Sequence, residues 1–179
     1  KVAPSEAYHS ALEMVTALEA LSADHPASSE LVQVGTSVEG RPILALRLGR
    51  SAHPKHRMRV LGAHHGDETS SAEVSLQLAV QLLRSPDWTS LLDEIEVWVV
   101  PHVNPDGVEL NRRYNANGVD LNRNYGFEWS ETEFRPGDHP FSEPETKAIR
   151  ALGEYISFGM GLSVHAGATN LGWVWNYTT

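Results

Sequence analysis

The sequence has 179 residues, of which 41% are apolar and 21% are charged, which is typical of one globular domain with a hydrophobic core. The formal net charge of −9 argues against a nucleic-acid partner, because a polyanion would be repelled on average. Cysteine is absent, which excludes disulfides, cysteine-rich zinc sites and thiol nucleophiles, and no apolar stretch approaches the length that spans a membrane.

The apolar pattern predicts helices and strands in alternation. A helix that Ser5 caps comes first and ends near Pro26, with helical spacing of Tyr8, Leu12, Val15, Leu18 and Leu21. It is followed by strands over residues 31–34, 43–48 and 58–63, a buried helix over 70–83, a strand over 95–100, a helix over 144–156 and a strand over 161–164. This order predicts an α/β fold with a mixed, mostly parallel central sheet that helices cover on both faces.

A candidate metal site lies in the turn after the predicted strand 58–63. His65 and Glu68 share this turn, and their three-residue offset lets both side chains reach one ion at the carboxyl edge of the sheet. The strand over 161–164 would add His165. Two imidazoles and one carboxylate, with a fourth position open to water, are the ligand set of a catalytic zinc. His64 and Asp67 have the same offset, so the residues alone leave both pairs open.

Several further segments carry a family resemblance. They are Gly35-Thr-Ser-Val-Glu-Gly-Arg-Pro-Ile43, Asn104-Pro-Asp-Gly107, Arg113-Tyr-Asn-Ala-Asn-Gly-Val-Asp-Leu-Asn-Arg-Asn124, Ser142-Glu-Pro-Glu-Thr-Lys-Ala148 and His165-Ala-Gly-Ala168. In this order they resemble the zinc metallocarboxypeptidases of the funnelin (M14) family, over about residues 34–179. The first and last are similar to the branch that includes the regulatory carboxypeptidases N, E and D and bacterial relatives.

The resemblance implies which residues hold the metal. Members of the family closest in the first turn read His-Gly-Asn-Glu, and only His65 keeps that register, so the resemblance favours His65, Glu68 and His165 as ligands of one zinc ion. It also implies that Asp120 accepts a hydrogen bond from the first histidine, which fixes the ring and raises its donor strength. The alternative for Asp120 is a turn aspartate that caps local amides.

The resemblance also implies a substrate site. Asn122 and Arg123 would bind the C-terminal carboxylate of a substrate, because a guanidinium can pair with both carboxylate oxygens. Arg113 matches the arginine that polarises the scissile carbonyl, and Arg112 is the alternative in the neighbouring register. The expected substrate is therefore the C-terminus of a peptide or protein.

The general-base glutamate of the family, and its substrate-covering tyrosine, normally lie far beyond the third metal ligand. Only fourteen residues follow His165, and none is acidic. We therefore expect residues 1–179 to form a single zinc carboxypeptidase-like catalytic domain that lacks its C-terminal part and is incomplete for catalysis alone. A complementary C-terminal fragment of the same protein is a possible partner under this expectation.

Specificity depends on the last residues of the sequence. The carboxylate that helps the regulatory branch select C-terminal lysine or arginine falls on Asn176 here, which argues against a basic preference. Trp173, Trp175 and Tyr177 would line a subsite or simply pack in a strand.

The expected function is thus a zinc-dependent carboxypeptidase that removes C-terminal amino acids. The alternatives are a catalytically silent zinc- and peptide-binding module, and a related zinc amidohydrolase or cell-wall peptidase. The first residues, Lys1-Val-Ala-Pro4, do not read as a signal peptide. We expect a mature extracellular or periplasmic protein whose leader has been removed, with a cytoplasmic location as the alternative.

Overall fold

The computed structural model describes residues 8–167, and five α-helices and five β-strands form within this range. In chain order they are α1 (Ala11–Asp24), β1 (Ser29–Thr36), β2 (Pro42–Leu48), β3 (His56–Leu61), α2 (Thr69–Arg84), α3 (Pro86–Thr89), β4 (Ile95–Val100), α4 (Pro105–Glu109), α5 (Pro144–Tyr155) and β5 (Met160–Ser163). Apart from α1, every predicted element is present with its ends shifted by at most two residues. The sequence did not predict α3 and α4, because a single turn is too short to show a helical period.

The start of α1 differs from the prediction. Ser10 rather than Ser5 is the cap: its hydroxyl accepts from the Glu13 N–H at 3.3 Å, and the Glu13 carboxylate accepts from the Ser10 N–H at 2.8 Å. This reciprocal pair is a capping box. The first two residues of the predicted helical spacing do not lie on the buried face, since Leu12 is 74% exposed and Tyr8 is 42% exposed. The buried face of the helix consists of Ala11, Met14, Leu18 and Leu21.

The strands form one mixed sheet in the order β1-β2-β4-β3-β5. β2 is antiparallel to both of its neighbours, β1 and β4. β3 is parallel to both of its neighbours, β4 and β5. Four of the five strands in residues 8–167 therefore run in one direction and β2 is reversed, so the predicted α/β class with a mixed, mostly parallel sheet is confirmed.

Both faces of the sheet are covered by helices, as predicted. Alternate residues of a strand point to opposite faces. Val60 and Val97 pack in one apolar cluster with α1 and α2, whereas their neighbours Leu61 and Trp98 pack in a second cluster with α5. Burial on both sides explains why β4 is an almost continuous apolar run.

The carboxyl ends of β3 and β5 lie side by side. Leu61 is in register with Ser163, and the Val164 N–H donates to the Leu61 carbonyl at 2.8 Å. The segments that follow these two strands therefore leave the sheet at one edge, where open α/β sheets bind their ligands. In residues 8–167, no helix combines the length and apolar character that crossing a bilayer requires.

Candidate metal and carboxylate site

The turn between β3 and α2 has a tightly restrained backbone. The Ala63 N–H donates to the Ser71 hydroxyl at 2.9 Å, and that hydroxyl donates to the Glu68 carbonyl at 2.6 Å. Gly66 lies against α4, and a Cβ at this position would be 2.0 Å from the Gly107 carbonyl carbon. Because only glycine fits this approach, the turn follows one path and fixes where its side chains point.

The turn brings the predicted metal ligands together with the end of β5. Glu68 Oε1 lies 2.7 Å from His65 Nδ1, and Glu68 Oε2 lies 2.9 Å from His165 Nδ1. One potential ligand atom from each of these three residues lies within 4.8 Å of the other two. His65 is buried, Glu68 is partly buried and His165 is exposed, so the cluster opens to solvent on the His165 side.

Two further charged groups adjoin this cluster. Asp120 Oδ1 lies 3.1 Å from His65 Nε2, and Asp120 Oδ2 accepts from Arg113 Nε at 3.0 Å. Arg113 Nη1 is 3.7 Å from Glu68 Oε1. Burial raises the pKa of Asp120, but His65 and Arg113 outweigh it and bring that pKa to about 2. Burial likewise raises the pKa of Glu68, but the Ala166 N–H and His65 outweigh it and lower the pKa. Both groups are therefore carboxylates at neutral pH.

The competing pair, His64 and Asp67, is not arranged as a ligand pair. His64 Nε2 lies 2.8 Å from the Tyr125 hydroxyl, and His64 Nδ1 lies 3.2 Å from the Ser163 hydroxyl. Asp67 is exposed to solvent. Burial lowers the pKa of His64 to about 3, so its ring is neutral at neutral pH. Within residues 8–167, the His65 cluster is the one group of acidic and histidine side chains compact enough to hold an ion.

The predicted carboxylate-binding pair lies on an exposed 3₁₀ turn directly after Asp120. Asp120 Oδ1 accepts from the Asn122 N–H at 3.0 Å, so this aspartate both caps the turn and contacts His65. Asn122 and Arg123 are exposed. Arg123 Nε donates to Glu133 Oε2 at 3.1 Å, which shows that its guanidinium already meets a carboxylate. By contrast, Nε of Arg112, the alternative to Arg113, is buried without a hydrogen-bond partner.

The segment that carries these groups is clamped to the start of α5. Asn115 Nδ2 donates to Glu143 Oε2 at 2.7 Å and to Glu145 Oε2 at 3.1 Å, while Asn115 Oδ1 accepts from the N–H groups of Asn117 and Val119. Asn115 is not among the residues predicted from the sequence. Asn115 lies in the segment 113–124, which carries the family resemblance, and this position is the signal by which it could have been found.

Asn104 is a second residue that the sequence analysis missed. It is fully buried, and its Nδ2 donates to the carbonyls of His64 at 3.2 Å and Arg113 at 3.3 Å. One amide therefore ties the metal-site turn to the segment that supplies Arg113.

The donor set fits zinc. Donor atoms that share one tetrahedral zinc at about 2.0–2.2 Å lie roughly 3.4 Å apart. The three candidate donors lie within 4.8 Å of one another, so small side-chain movements reach that spacing. Imidazole and carboxylate are common zinc ligands, and three protein ligands leave a fourth position open. The residues therefore fit a zinc ion that keeps one coordination position open.

Known proteins provide the family assignment. The family model for zinc carboxypeptidase, peptidase M14, matches residues 14–179. The chain belongs to the zinc carboxypeptidase family. Carboxypeptidase M from Mus musculus is 31% identical to it over 182 aligned residues, which cover 90% of this chain and 39% of that protein.

Solved structures of the zinc carboxypeptidase type have the same fold. Carboxypeptidase A from Helicoverpa armigera matches with a TM-score of 0.82 and 26% identity, covering 90% of this chain and 46% of that one. Murein-tripeptide amidase MpaA from Escherichia coli O157 matches with a TM-score of 0.61 and 33% identity, covering 76% of this chain and 60% of that one. The chain thus spans less than two thirds of each relative.

The residues predicted to determine specificity are near the end of the sequence. Trp173, Trp175, Asn176 and Tyr177 lie outside the described residues.

Proposed function

We propose that this chain forms the zinc-binding and carboxylate-binding part of a metallocarboxypeptidase that removes C-terminal amino acids from peptides or proteins. The observation that carries the proposal is the convergence of His65, Glu68 and His165, with Arg113 and Asp120 adjoining them, in a member of the zinc carboxypeptidase family. We assign His65, Glu68 and His165 as the ligands of one zinc ion.

Each residue around the ion would contribute a separate function. Zinc held there would supply Lewis-acid activation of a water molecule and of the scissile carbonyl. Asp120 Oδ1, which lies 3.1 Å from His65 Nε2, would accept the proton of that nitrogen and so direct Nδ1 toward the ion. Arg113 would donate to the carbonyl oxygen as negative charge develops there, and its 3.7 Å approach to Glu68 supports this role.

The substrate carboxylate would bind to Asn122 and Arg123. Both side chains are exposed, and the contact between Arg123 and Glu133 supports an affinity of this guanidinium for carboxylates. A free C-terminus offers two oxygens that a guanidinium binds together. An amide-capped C-terminus offers a single acceptor oxygen and carries no charge.

Neither of the carboxylates that contact the cluster is assigned as the general base. The carboxylates that contact the cluster in residues 8–167 are Glu68 and Asp120, and all four oxygens already have partners. Neither is therefore free to carry the proton from water to the leaving amine. Under this proposal residues 1–179 form one zinc carboxypeptidase-like catalytic domain without its C-terminal part. An extracellular or periplasmic location remains part of the proposal.

A calorimetric comparison of two peptides tests the binding role. With zinc present, a peptide with a free C-terminal carboxylate should bind more tightly than its C-terminal amide by on the order of 1.5–3 kcal/mol, the value of a charge-assisted hydrogen bond. Arg123→Gln should remove the difference. Arg150→Gln, which changes another exposed arginine, should retain it. Equal affinities of the unsubstituted chain for both peptides would refute the assignment.

The alternatives predict different activities against a panel of peptide substrates. The main proposal predicts release of C-terminal amino acids. Binding without hydrolysis would favour a silent zinc- and peptide-binding module. Selective cleavage of D-glutamyl-diaminopimelate links would favour a cell-wall peptidase, for which the amidase match at a TM-score of 0.61 is the supporting observation. The carboxypeptidase match at 0.82 gives the main proposal stronger support.

A further inference from the structure

A second line of hydrogen bonds leads away from the metal cluster through His165. His165 Nε2 lies 3.3 Å from the Ser163 hydroxyl, which lies 3.2 Å from His64 Nδ1. His64 Nε2 lies 2.8 Å from the Tyr125 hydroxyl. The rings of His64 and His165 are stacked, with centroids 5.8 Å apart and planes 23° from parallel.

The fold explains why these four residues meet. His64 follows the end of β3, and Ser163 is the last residue of the neighbouring parallel strand β5. Tyr125 follows the 3₁₀ turn that carries Asn122 and Arg123, the proposed carboxylate clasp. The line therefore connects both strand ends with the clasp segment, and His64 is only 2% exposed within it.

With His165 bound to an ion, donation in this line runs from His165 toward Tyr125. His165 Nδ1 faces Glu68 at 2.9 Å, so with Nδ1 bound to the ion the proton of the ring is on Nε2 and is donated to the Ser163 oxygen. The Ser163 hydroxyl then donates to His64 Nδ1. The His64 Nε2–H donates in turn to the Tyr125 oxygen. A neutral His64 has the one donor and one acceptor that this order requires.

We propose that Ser163, His64 and Tyr125 are positioning residues that hold the His165 ring with Nδ1 directed at the metal. This inference rests on the proposed metal site. It completes the support of the two imidazole ligands, since Asp120 holds His65 and the Ser163 line holds His165. The hydroxyl is a neutral acceptor and gives His165 less charge stabilisation than the Asp120 carboxylate gives His65.

Ser163→Ala provides the sharpest test, because Ser163 is exposed and its hydroxyl can be removed without opening a cavity. Zinc affinity of the purified chain would be measured by competition with a chromophoric chelator. Loss of an outer partner of a metal-binding histidine typically weakens affinity about 10- to 100-fold. We expect Ser163→Ala to lose zinc affinity near the lower limit of this range. Ser163→Thr keeps a hydroxyl and should have near-normal affinity. Ser157→Ala changes an exposed serine before β5 and should leave the affinity unchanged.

Tyr125→Phe extends the test to the far end of the line, where we expect a smaller loss of affinity. The melting temperature of each metal-free variant separates positioning from folding, and it should stay unchanged in Ser163→Ala. Unchanged zinc affinity in Ser163→Ala, or an equal loss in Ser163→Thr, would overturn the inference and leave the metal site standing. Failure of the unsubstituted chain to bind zinc at His65, Glu68 and His165 would overturn both.

Discussion

Asn115→Ala tests whether the clamp on α5 holds the functional segment in place. Asn115 is fully buried, and its Nδ2 contacts two carboxylates, those of Glu143 and Glu145. The substitution removes both hydrogen bonds together with the two backbone bonds that Oδ1 accepts. Glu143 Oε2 keeps one donor, the side chain of Asn117 at 2.8 Å.

The expected destabilisation is large. A hydrogen bond to a charged group contributes about 1.5–3 kcal/mol, and Asn115 makes two such bonds in a buried site. Allowing for partial relaxation, we expect Asn115→Ala to lower the free energy of unfolding by about 3–5 kcal/mol. Asn117→Ala is the matched control, because Asn117 is exposed and donates one side-chain bond to the same Glu143 oxygen. We expect it to lose about 1 kcal/mol.

Urea unfolding followed by circular dichroism measures both changes. The midpoint should fall much further for Asn115→Ala than for Asn117→Ala, with similar dependence of the free energy on urea in both. Equal losses in the two variants would show that the buried clamp contributes no more than a surface hydrogen bond, and the reasoning would be wrong.

Three further perturbations have clear expected outcomes. Gly66→Ala should disrupt folding or zinc binding, because its Cβ would lie 2.0 Å from the backbone of α4. In Gly159→Ala the added Cβ would have no neighbour closer than 3.8 Å, so near-UV dichroism and zinc content should stay unchanged. Equal tolerance of both substitutions would contradict this. Glu133→Gln should strengthen binding of a peptide acid, measured by calorimetry, but not of its amide, because the substitution frees Arg123. An equal effect on both peptides would show that Glu133 does not compete for the carboxylate clasp. Burial raises the pKa of Glu96, but an indole and two arginines outweigh it and lower the pKa. The Glu96 carboxylate therefore stabilises the folded state above the unfolded-state pKa of about 4.3, and this stabilisation is lost as the pH falls through the folded-state pKa. Glu96→Gln should flatten the decline in urea-measured stability on acidification, and an unchanged slope would refute this.

The features that the sequence predicted well are local ones. Strand and helix periods depend on neighbouring residues, and they gave the elements of the sheet and its covering helices. The offset of His65 and Glu68 within one turn was also a local signal. Spacing alone did not distinguish this pair from His64 and Asp67, because both have the same offset. The geometry of the turn and the approach of β5 direct the two histidines to different partners.

The features that the sequence analysis missed are contacts between distant segments. His64 and Tyr125 are 61 residues apart, and Asn115 and Glu145 are 30 residues apart. Such polar contacts depend on which distant segments the tertiary fold brings together, and a periodic sequence pattern does not contain that information. The helix cap was missed for a different reason: Ser5 and Ser10 are both acceptable caps by type, and the capping box with Glu13 selects the second.

The zinc content of the purified chain is the most direct test of the central claim that His65, Glu68 and His165 form a metal site. We expect one zinc per chain by elemental analysis after gel filtration, and loss of that zinc in His65→Ala, Glu68→Ala and His165→Ala. His64→Ala should weaken affinity but still hold one zinc when zinc is in excess. Zinc that persists in His65→Ala and is lost in His64→Ala would show that His64, and not His65, is the ligand.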